Sequence, residues 1–331
     1  MSQFDTRAAE PPRPVAGRSV LVLGSTGFVG RHVCEALARA GARVTGVARS
    51  SPARPAAERQ VALDLTTAGP DRLAALLADT GAEVVVNAAG AVWGVAEEQM
   101  LRANAELPEH LVAAVAATAA SPRVVHLGSV HEYGRGPRGV AITEDLATAP
   151  VTAYGRSKLR GARAVLAAAR EGTADAVVLR IANVSGPGTP RGSLLGTIAA
   201  HLADLSRPGT AAPPPLRLTP LRAQRDFVDV RDVAAAVLAA AERGPSGTVV
   251  NLGRGEAVAV RGLVDRLIEL SGLPAEVVEE NDGAEQRGGD VEWQQVDITR
   301  AARVLGWTPV RSLDTSLRDL LAETLHPAPA A

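Results

Sequence analysis

The sequence predicts an α/β protein: a Rossmann-type, doubly wound parallel sheet with a smaller, mainly C-terminal α/β substrate-binding domain. Three observations predict it. Short apolar runs rich in branched residues alternate with helical stretches through the first half of the chain. The first run leads directly into glycines spaced Gly24-x-x-Gly27-x-x-Gly30. After Asn183 the alternation gives way to a Gly- and Pro-rich segment, and the strand-then-helix pattern returns further on.

In chain order, Ser19 to Leu23 reads as a buried parallel strand. The glycine turn follows, then a helix from about Arg31 to Ala40 that stops at Gly41. Further strands are expected at Arg43 to Ala48, Val61 to Leu63, Glu83 to Asn87, Arg123 to Leu127 and Ala176 to Leu179. Helices are expected near Asp71 to Asp79, Leu101 to Ala120 and Tyr154 to Arg170. Ser185 to Pro220 holds a helix near Ser193 to Leu205 and a loop from Pro208 to Pro215. Arg225 to Arg243 is again strand then helix, and Thr248 to Leu252 is another strand. Val260 to Leu325 carries two or three helices and a turn at Gly306-Trp307-Thr308-Pro309. The expected division is a mobile arm (1–17), a nucleotide-binding domain (18–184, with 221–254 returning to it), a substrate-binding domain (185–220 and 255–325) and a disordered tail from His326. No internal repeat is present.

Composition excludes several classes. With 331 residues, 46% hydrophobic and a net charge of -1, the chain has no basic surface suited to nucleic acid. No uninterrupted apolar run reaches the ~18 residues of a membrane span. The Pro-rich N-terminal segment lacks the apolar core of a signal peptide. The lone Cys34 allows no internal disulfide and fits a reducing cytoplasm, and no metal site is expected.

Scarcity is more informative. Lys158 is the only lysine, and Tyr133 and Tyr154 are the only tyrosines, in a chain rich in Ala, Gly, Arg and Val. A lysine four residues after a tyrosine, one helical turn apart on one face, is a functional signature in such a chain.

Gly24-Ser25-Thr26-Gly27-Phe28-Val29-Gly30 sits between a strand and a helix, the context in which a glycine turn holds a dinucleotide pyrophosphate at a helix N-terminus. An acid at the end of the second strand would bond the adenine ribose of NAD(H); here Val47-Ala48-Arg49-Ser50 offers none. Arg49 suits a 2′-phosphate, with no acid to repel it, so NADP(H) is favoured and NAD(H) remains the alternative. Asp64-Leu65 lies where adenine is expected, Asn87-Ala88-Ala89-Gly90 offers small residues against the cofactor, and Asn104 joins these candidate contacts.

Ser129 follows a strand, so its hydroxyl emerges at the carboxyl edge of the sheet, where ligands bind in such folds. A free tyrosine titrates near 10; the Lys158 ammonium is expected to lower Tyr154 and to hold the nicotinamide ribose. Ser129 then bonds the reacting carbonyl oxygen, and Tyr154 transfers the proton.

These motifs resemble the extended short-chain dehydrogenase/reductases, and more closely their sugar-nucleotide epimerase/dehydratase/reductase branch. The likeness continues through Leu179-Arg180-Ile181-Ala182-Asn183, Arg225-Asp226-Phe227-Val228-Asp229-Val230, Asn251-Leu252-Gly253, Asp297-Ile298-Thr299-Arg300-Ala301 and Leu305-Gly306-Trp307-Thr308-Pro309, spanning roughly residues 18 to 322. It implies that Asn183, Arg225 and Arg287 contact a substrate diphosphate. It also implies a homodimer built on the helices at Leu101 to Ala120 and Tyr154 to Arg170, whose alanine-rich faces would pack closely. Dehydratases of the branch carry Asp-Glu after the hydroxyl residue; Val130 and His131 stand there, which disfavours elimination. His131 either lines the substrate pocket, bonds Glu132 or acts as an acid/base group. The implied activity is NADPH-dependent reduction of a dTDP-4-keto-6-deoxyhexose at C4. A C4 epimerase that retains NAD and a non-catalytic NADP-binding regulator are the alternatives.

Overall fold

The computed structural model describes residues 12–51, 55–92, 94–207, 214–280 and 291–326. Seven strands form one all-parallel sheet: β1 (Ser19–Leu23), β2 (Arg43–Ala48), β3 (Arg59–Ala62), β4 (Val84–Asn87), β5 (Arg123–Ser129), β6 (Ala176–Ile181) and β10 (Thr248–Leu252). Their spatial order is β10-β6-β5-β4-β1-β2-β3, so the chain reverses direction across the sheet between β1 and β4. That reversal opens a crevice at the carboxyl ends of the strands.

Alternation along the strands divides the core into two faces. Val20, Val22, Val84, Val86 and Val125 pack with α1 (Phe28–Arg39) and α7 (Val230–Glu242) through Val33, Leu37, Val233 and Val237. Leu21, Leu23, Val85 and Val124 pack on the other face with α2 (Pro70–Thr80), α4 (Leu107–Ala117) and α5 (Ala153–Arg170), through Leu73, Leu77, Leu111 and Val165. Each such side chain contributes about 1.5–3 kcal/mol of burial, and both faces are covered, as a parallel sheet requires.

The second lobe is built from two small sheets. β9 (Gln224–Asp229) pairs in parallel with β7 (Asn183–Ser185) and β13 (Trp293–Gln294), and antiparallel with β11 (Ala257–Ala259). β8 (Leu216–Leu218) pairs with β12 (Val277–Glu279). A separate core joins α6 (Leu194–Leu205), α8 (Val260–Ser271) and α10 (Leu313–Leu325) through Ile198, Leu202, Val264, Leu267, Leu317 and Leu320. A short α9 (Thr299–Leu305) ends at Gly306, and Trp307 beyond it donates its indole N–H to the carbonyl of Asp232 at 2.9 Å.

Several expectations change. Helix α1 begins at Phe28, not Arg31, because the glycine turn closes sooner than its spacing suggests. The expected arm is shorter than 1–17: Val15 is fully buried, the Arg13 N–H donates to Glu242 O at 2.8 Å and the Gly17 N–H to Gly41 O at 2.8 Å. His326 ends α10, donating to Ala322 O at 3.0 Å. The strand at 224–229 joins the small sheet, although α7 and β10, which follow it, do return to the large fold. The helix expected at 101–120 is instead α3 (Glu97–Leu101), a π-helical turn (Arg102–Glu106) and α4. Pro108 lacks an N–H for the helical ladder, and the wider turn before it absorbs that interruption. Residues 208–213 of the expected loop lie outside the described residues.

Candidate active site

The crevice between β1 and β4 is walled by backbone. Gly24 has φ +80°, and a Cβ there would lie 2.8 Å from the Ala89 backbone; at Gly30 it would lie 2.1 Å from Gly24 O. Neither position tolerates a side chain, so the turn brings its backbone close to whatever lies above it. Gly27 caps α1 in extended conformation, and no side chain caps that terminus. The helix therefore presents N–H groups to an anion, which fits a dinucleotide pyrophosphate. Ser25 points away, accepting from Gln60 Nε2 at 2.8 Å, while Thr26 is exposed. Phe28 is half-buried with His32 edge-on to it, and Val29 packs on the core.

Beyond the ends of β2 and β3, Arg49 is exposed and Asp64 is too. Asp64 accepts from the Thr66 N–H at 2.9 Å and hydroxyl at 2.7 Å, which hold its carboxyl below the usual range; Arg49 adds a smaller push in the same direction. Arg49 and Asp64 thus lie within electrostatic reach of one another. Leu65 buries its side chain in the core.

On the β4 side, Asn87 is fully buried, bonded to His126 Nδ1 at 3.2 Å and accepting from the Ala89 N–H at 3.3 Å. Asn104 is buried in the π-turn. It accepts from Ala91 N–H at 3.0 Å and donates to Ala91 O at 2.7 Å and Ser157 Oγ at 3.1 Å. Its amide is spent on pinning the 88–91 loop to α5. Gly161 of α5 allows this, because a Cβ there would lie 2.1 Å from Asn104 O. Gly90 runs close over the Asn104 amide, where a Cβ would lie 3.0 Å from Oδ1.

Ser129, Tyr154 and Lys158 come together at the carboxyl edge. Thr152 caps α5, accepting from Gly155 N–H at 3.0 Å, so Tyr154 and Lys158 stand on its first turns. Tyr154 is hydrogen-bonded to Ser129. Burial pushes the phenol up to about 12, Glu132 pushes the same way, and the Ser129 bond opposes both. The lowering expected from Lys158 is absent in the protein alone. Its ammonium is turned to Leu127 O at 2.5 Å, and burial drives Lys158 itself down to about 8. His131 sets its ring edge-on to Tyr154 with centroids 5.6 Å apart, so it lines the same cleft.

Beneath Ser129 lies a feature that motif reading missed. Val130–Glu132 forms a 3-10 turn with a reciprocal cap: Ser129 Oγ accepts from His131 N–H at 3.2 Å, and Glu132 Oε1 accepts from Ser129 N–H at 2.8 Å. Glu132 also pairs with Arg180 at 2.8 Å, both buried, and Arg180 lies 4.4 Å from the Tyr133 ring centroid. Tyr133 donates to Asn251 Oδ1 at 2.7 Å, a structural role. The Ser-x-x-Glu spacing was the available signal.

Of the diphosphate candidates, Asn183 and Arg225 stand on neighbouring strands of the small sheet. Asn183 donates both amide hydrogens inside the small sheet, to Asp226 O at 3.0 Å and Gln294 Oε1 at 3.3 Å. Arg225 is half-buried on β9, donating to Gln224 O at 3.2 Å. The Asp226 carboxylate accepts from the N–H groups of Arg254, Gly255 and Val296, and Asp229 is held by Arg231. Arg287 lies outside the described residues. The two lobes are joined where Arg31 donates to Pro187 O at 2.9 Å and pairs with Glu323 at 3.2 Å; His32 meets the same carbonyl at 3.0 Å. Among the described residues no group of three or more His, Cys, Asp or Glu could hold a metal ion, and no helix is long and apolar enough to cross a membrane.

A glycine turn at a topological switch point, with a hydrogen-bonded Ser–Tyr pair and a buried lysine one turn on, defines a nucleotide-cofactor enzyme of the extended short-chain dehydrogenase/reductase class. The chain belongs to the NAD dependent epimerase/dehydratase family, whose model matches residues 20–253. It is 48% identical over 303 residues to dTDP-6-deoxy-L-talose 4-dehydrogenase (NAD(P)(+)) of Kitasatospora kifunensis, covering 91% of this chain and 94% of that one. It is 29% identical to UDP-glucose 4-epimerase of Azospirillum brasilense, covering 93% and 92%. Among solved structures, MoeE5 in complex with UDP-glucuronic acid and NAD superposes with a TM-score of 0.79 at 28% identity, covering 92% and 98%.

Proposed function

We propose that the protein is an NADP(H)-dependent sugar-nucleotide 4-ketoreductase acting on a dTDP-4-keto-6-deoxyhexose in deoxysugar assembly for a secondary metabolite. The observation that carries this reading is the Ser129–Tyr154 hydrogen bond, with Lys158 one turn away, at the mouth of the glycine-walled crevice. The Kitasatospora relative, by its name, works at C4 of a dTDP-6-deoxyhexose, and that supports the sugar and the position.

The residues divide the work simply. Ser129 hydrogen-bonds the C4 carbonyl oxygen and polarises it. Tyr154, a neutral phenol at pH 7 that burial holds still further from ionising, delivers its proton to that oxygen. The Lys158 ammonium then stabilises the phenolate as it forms and holds the nicotinamide ribose. The bound cofactor supplies the hydride at C4. Val130 and His131 provide no acid–base pair for elimination, which argues against dehydration. Arg225 and Arg287 are assigned to the substrate diphosphate, and Asn183 to shaping the sheet that carries Arg225. Arg49 is assigned to the 2′-phosphate, which must outcompete Asp64 for it.

A homodimer through α4 and α5 belongs to this reading. The outer face of α4 exposes Ala113, Ala116 and Ala117, whereas that of α5 exposes Arg156, Arg160 and Arg163, so charge as well as small residues must be matched. A cytoplasmic location rests on the lone, buried Cys34. The deciding experiment incubates the protein with dTDP-4-keto-6-deoxyglucose and NADPH, following absorbance and product. Stoichiometric NADPH oxidation with a reduced sugar is expected. No oxidation across several keto-sugars defeats the reading, and sugar inversion without net oxidation makes the protein a C4 epimerase.

A further inference from the structure

The sequence at the end of β5 spends an unusual amount of buried charge on one turn. Glu132 and Arg180 are 0% and 4% exposed, and they pair directly beneath Ser129. Space has been cleared for the carboxylate: a Cβ at Gly128 would lie 2.6 Å from Glu132 Oε1. A buried ion pair is a poor source of stability, because desolvation offsets its attraction. Its position is therefore the more telling property. Leu127 O receives the Lys158 ammonium and the Ser129 N–H is received by Glu132, two residues apart on one strand end.

We propose that Glu132 is a positioning residue for the reaction: its carboxylate locks the Ser129 turn and acts as the fixed counter-charge that keeps Lys158 an ammonium. Arg180 anchors that carboxylate through its Nε and stacks over Tyr133, so the negative charge cannot swing into the cleft. The charged and titratable groups around the pair include Tyr154 and Lys158 on α5, His131 and Tyr133 at the turn, His126 on β5, and Glu144, which acts on Tyr133. His126 is buried and held neutral by desolvation and by the lysine itself, so it supplies no opposing charge. Burial lowers Lys158, and among these neighbours Glu132 is the one that raises it. The same charge adds a small push to burial in raising Tyr154, so the phenol gains nothing from it at neutral pH and the effect that matters falls on the lysine.

The inference rests on the reactive-centre reading above, yet it is testable without turnover because Lys158 is the only lysine. Labelling with ¹³C-lysine gives one side-chain Cε signal, whose titration midpoint in the wild type is expected near 8. In Glu132→Gln the midpoint falls by on the order of one pH unit. In Glu132→Asp, which keeps the charge but shortens the reach to Ser129 N–H, the midpoint stays put while kcat falls. The double variant Glu132→Gln/Arg180→Met also removes the arginine that the single variant would leave buried without its carboxylate, and it lowers the midpoint in the same direction, so a folding defect in the single variant does not obscure the result. In the active enzyme the alkaline limb of kcat/KM moves down with the midpoint; a merely structural role would lower kcat at every pH and leave the limb in place. A Glu132→Gln midpoint equal to the wild type overturns the proposal. Absent turnover in the wild type overturns the reductase reading alone.

Discussion

Replacing Lys158 by methionine should destroy activity and strengthen the fold. Burial takes this amine from its ordinary 10.5 to about 8 in the folded protein. At about 1.4 kcal/mol per pH unit, that gap represents about 3 kcal/mol spent on keeping a charge in the interior at neutral pH. The hydrogen bond to Leu127 O returns about 1 kcal/mol, and methionine forgoes it. Lys158→Met should therefore gain about 2 kcal/mol at pH 7 in urea unfolding. The sign with pH follows from proton binding. Between pH 8 and 10.5 the unfolded wild type carries more protons than the folded one, so wild-type stability from this group rises with pH over that window. The advantage of Lys158→Met should shrink across the window and disappear near its top. A variant less stable than the wild type at pH 7, or an advantage independent of pH, would refute the assignment of Lys158 as a buried, strained ammonium.

Tyr154→Phe should lower kcat by several orders of magnitude while NADPH binding, followed by fluorescence, is little changed; retained turnover would displace Tyr154 as the proton donor. Arg49→Ser should weaken NADPH by roughly tenfold, the loss of one charge-assisted contact, and leave NADH affinity alone; equal losses for both would remove Arg49 from the 2′-phosphate. Gly161→Ala forces a Cβ against Asn104 O and should cost about 1–3 kcal/mol in urea unfolding, despite alanine's better helix propensity. The displaced Asn104 should also weaken cofactor binding, measured by the same fluorescence titration.

The large sheet was legible because parallel strands buried on both faces announce themselves as apolar runs, and β2 was bounded to the residue. The glycine turn and the Ser–Tyr–Lys centre were legible because their chemistry demands particular residue types at fixed spacings. What was hidden depended on long-range closure. The strands β7, β11 and β13 have two or three residues each and exist only because β9 gathers them. Val15 looks like part of a Pro-rich arm until α7 offers Glu242 to its N–H. The place of Asn183 in the small sheet was hidden as well, because its amide hydrogens are claimed across 43 and 111 residues. Glu132 went unread although Ser-x-x-Glu is a capping pattern, and its partner Arg180 lies 48 residues away on a neighbouring strand.

The bond between Arg31 and the 187–188 loop bears on how the enzyme meets its ligands. Gly188 has φ +75°, and its missing Cβ would occupy the place of the Arg31 guanidinium. The helix whose free N–H groups suit a pyrophosphate is thereby clamped to the second lobe. Aligning two half-sites costs conformational entropy, and here that cost is met once, during folding, rather than at each encounter. The two lobes are preorganised: an arginine on the first turn of α1 ties one to the other before any ligand arrives.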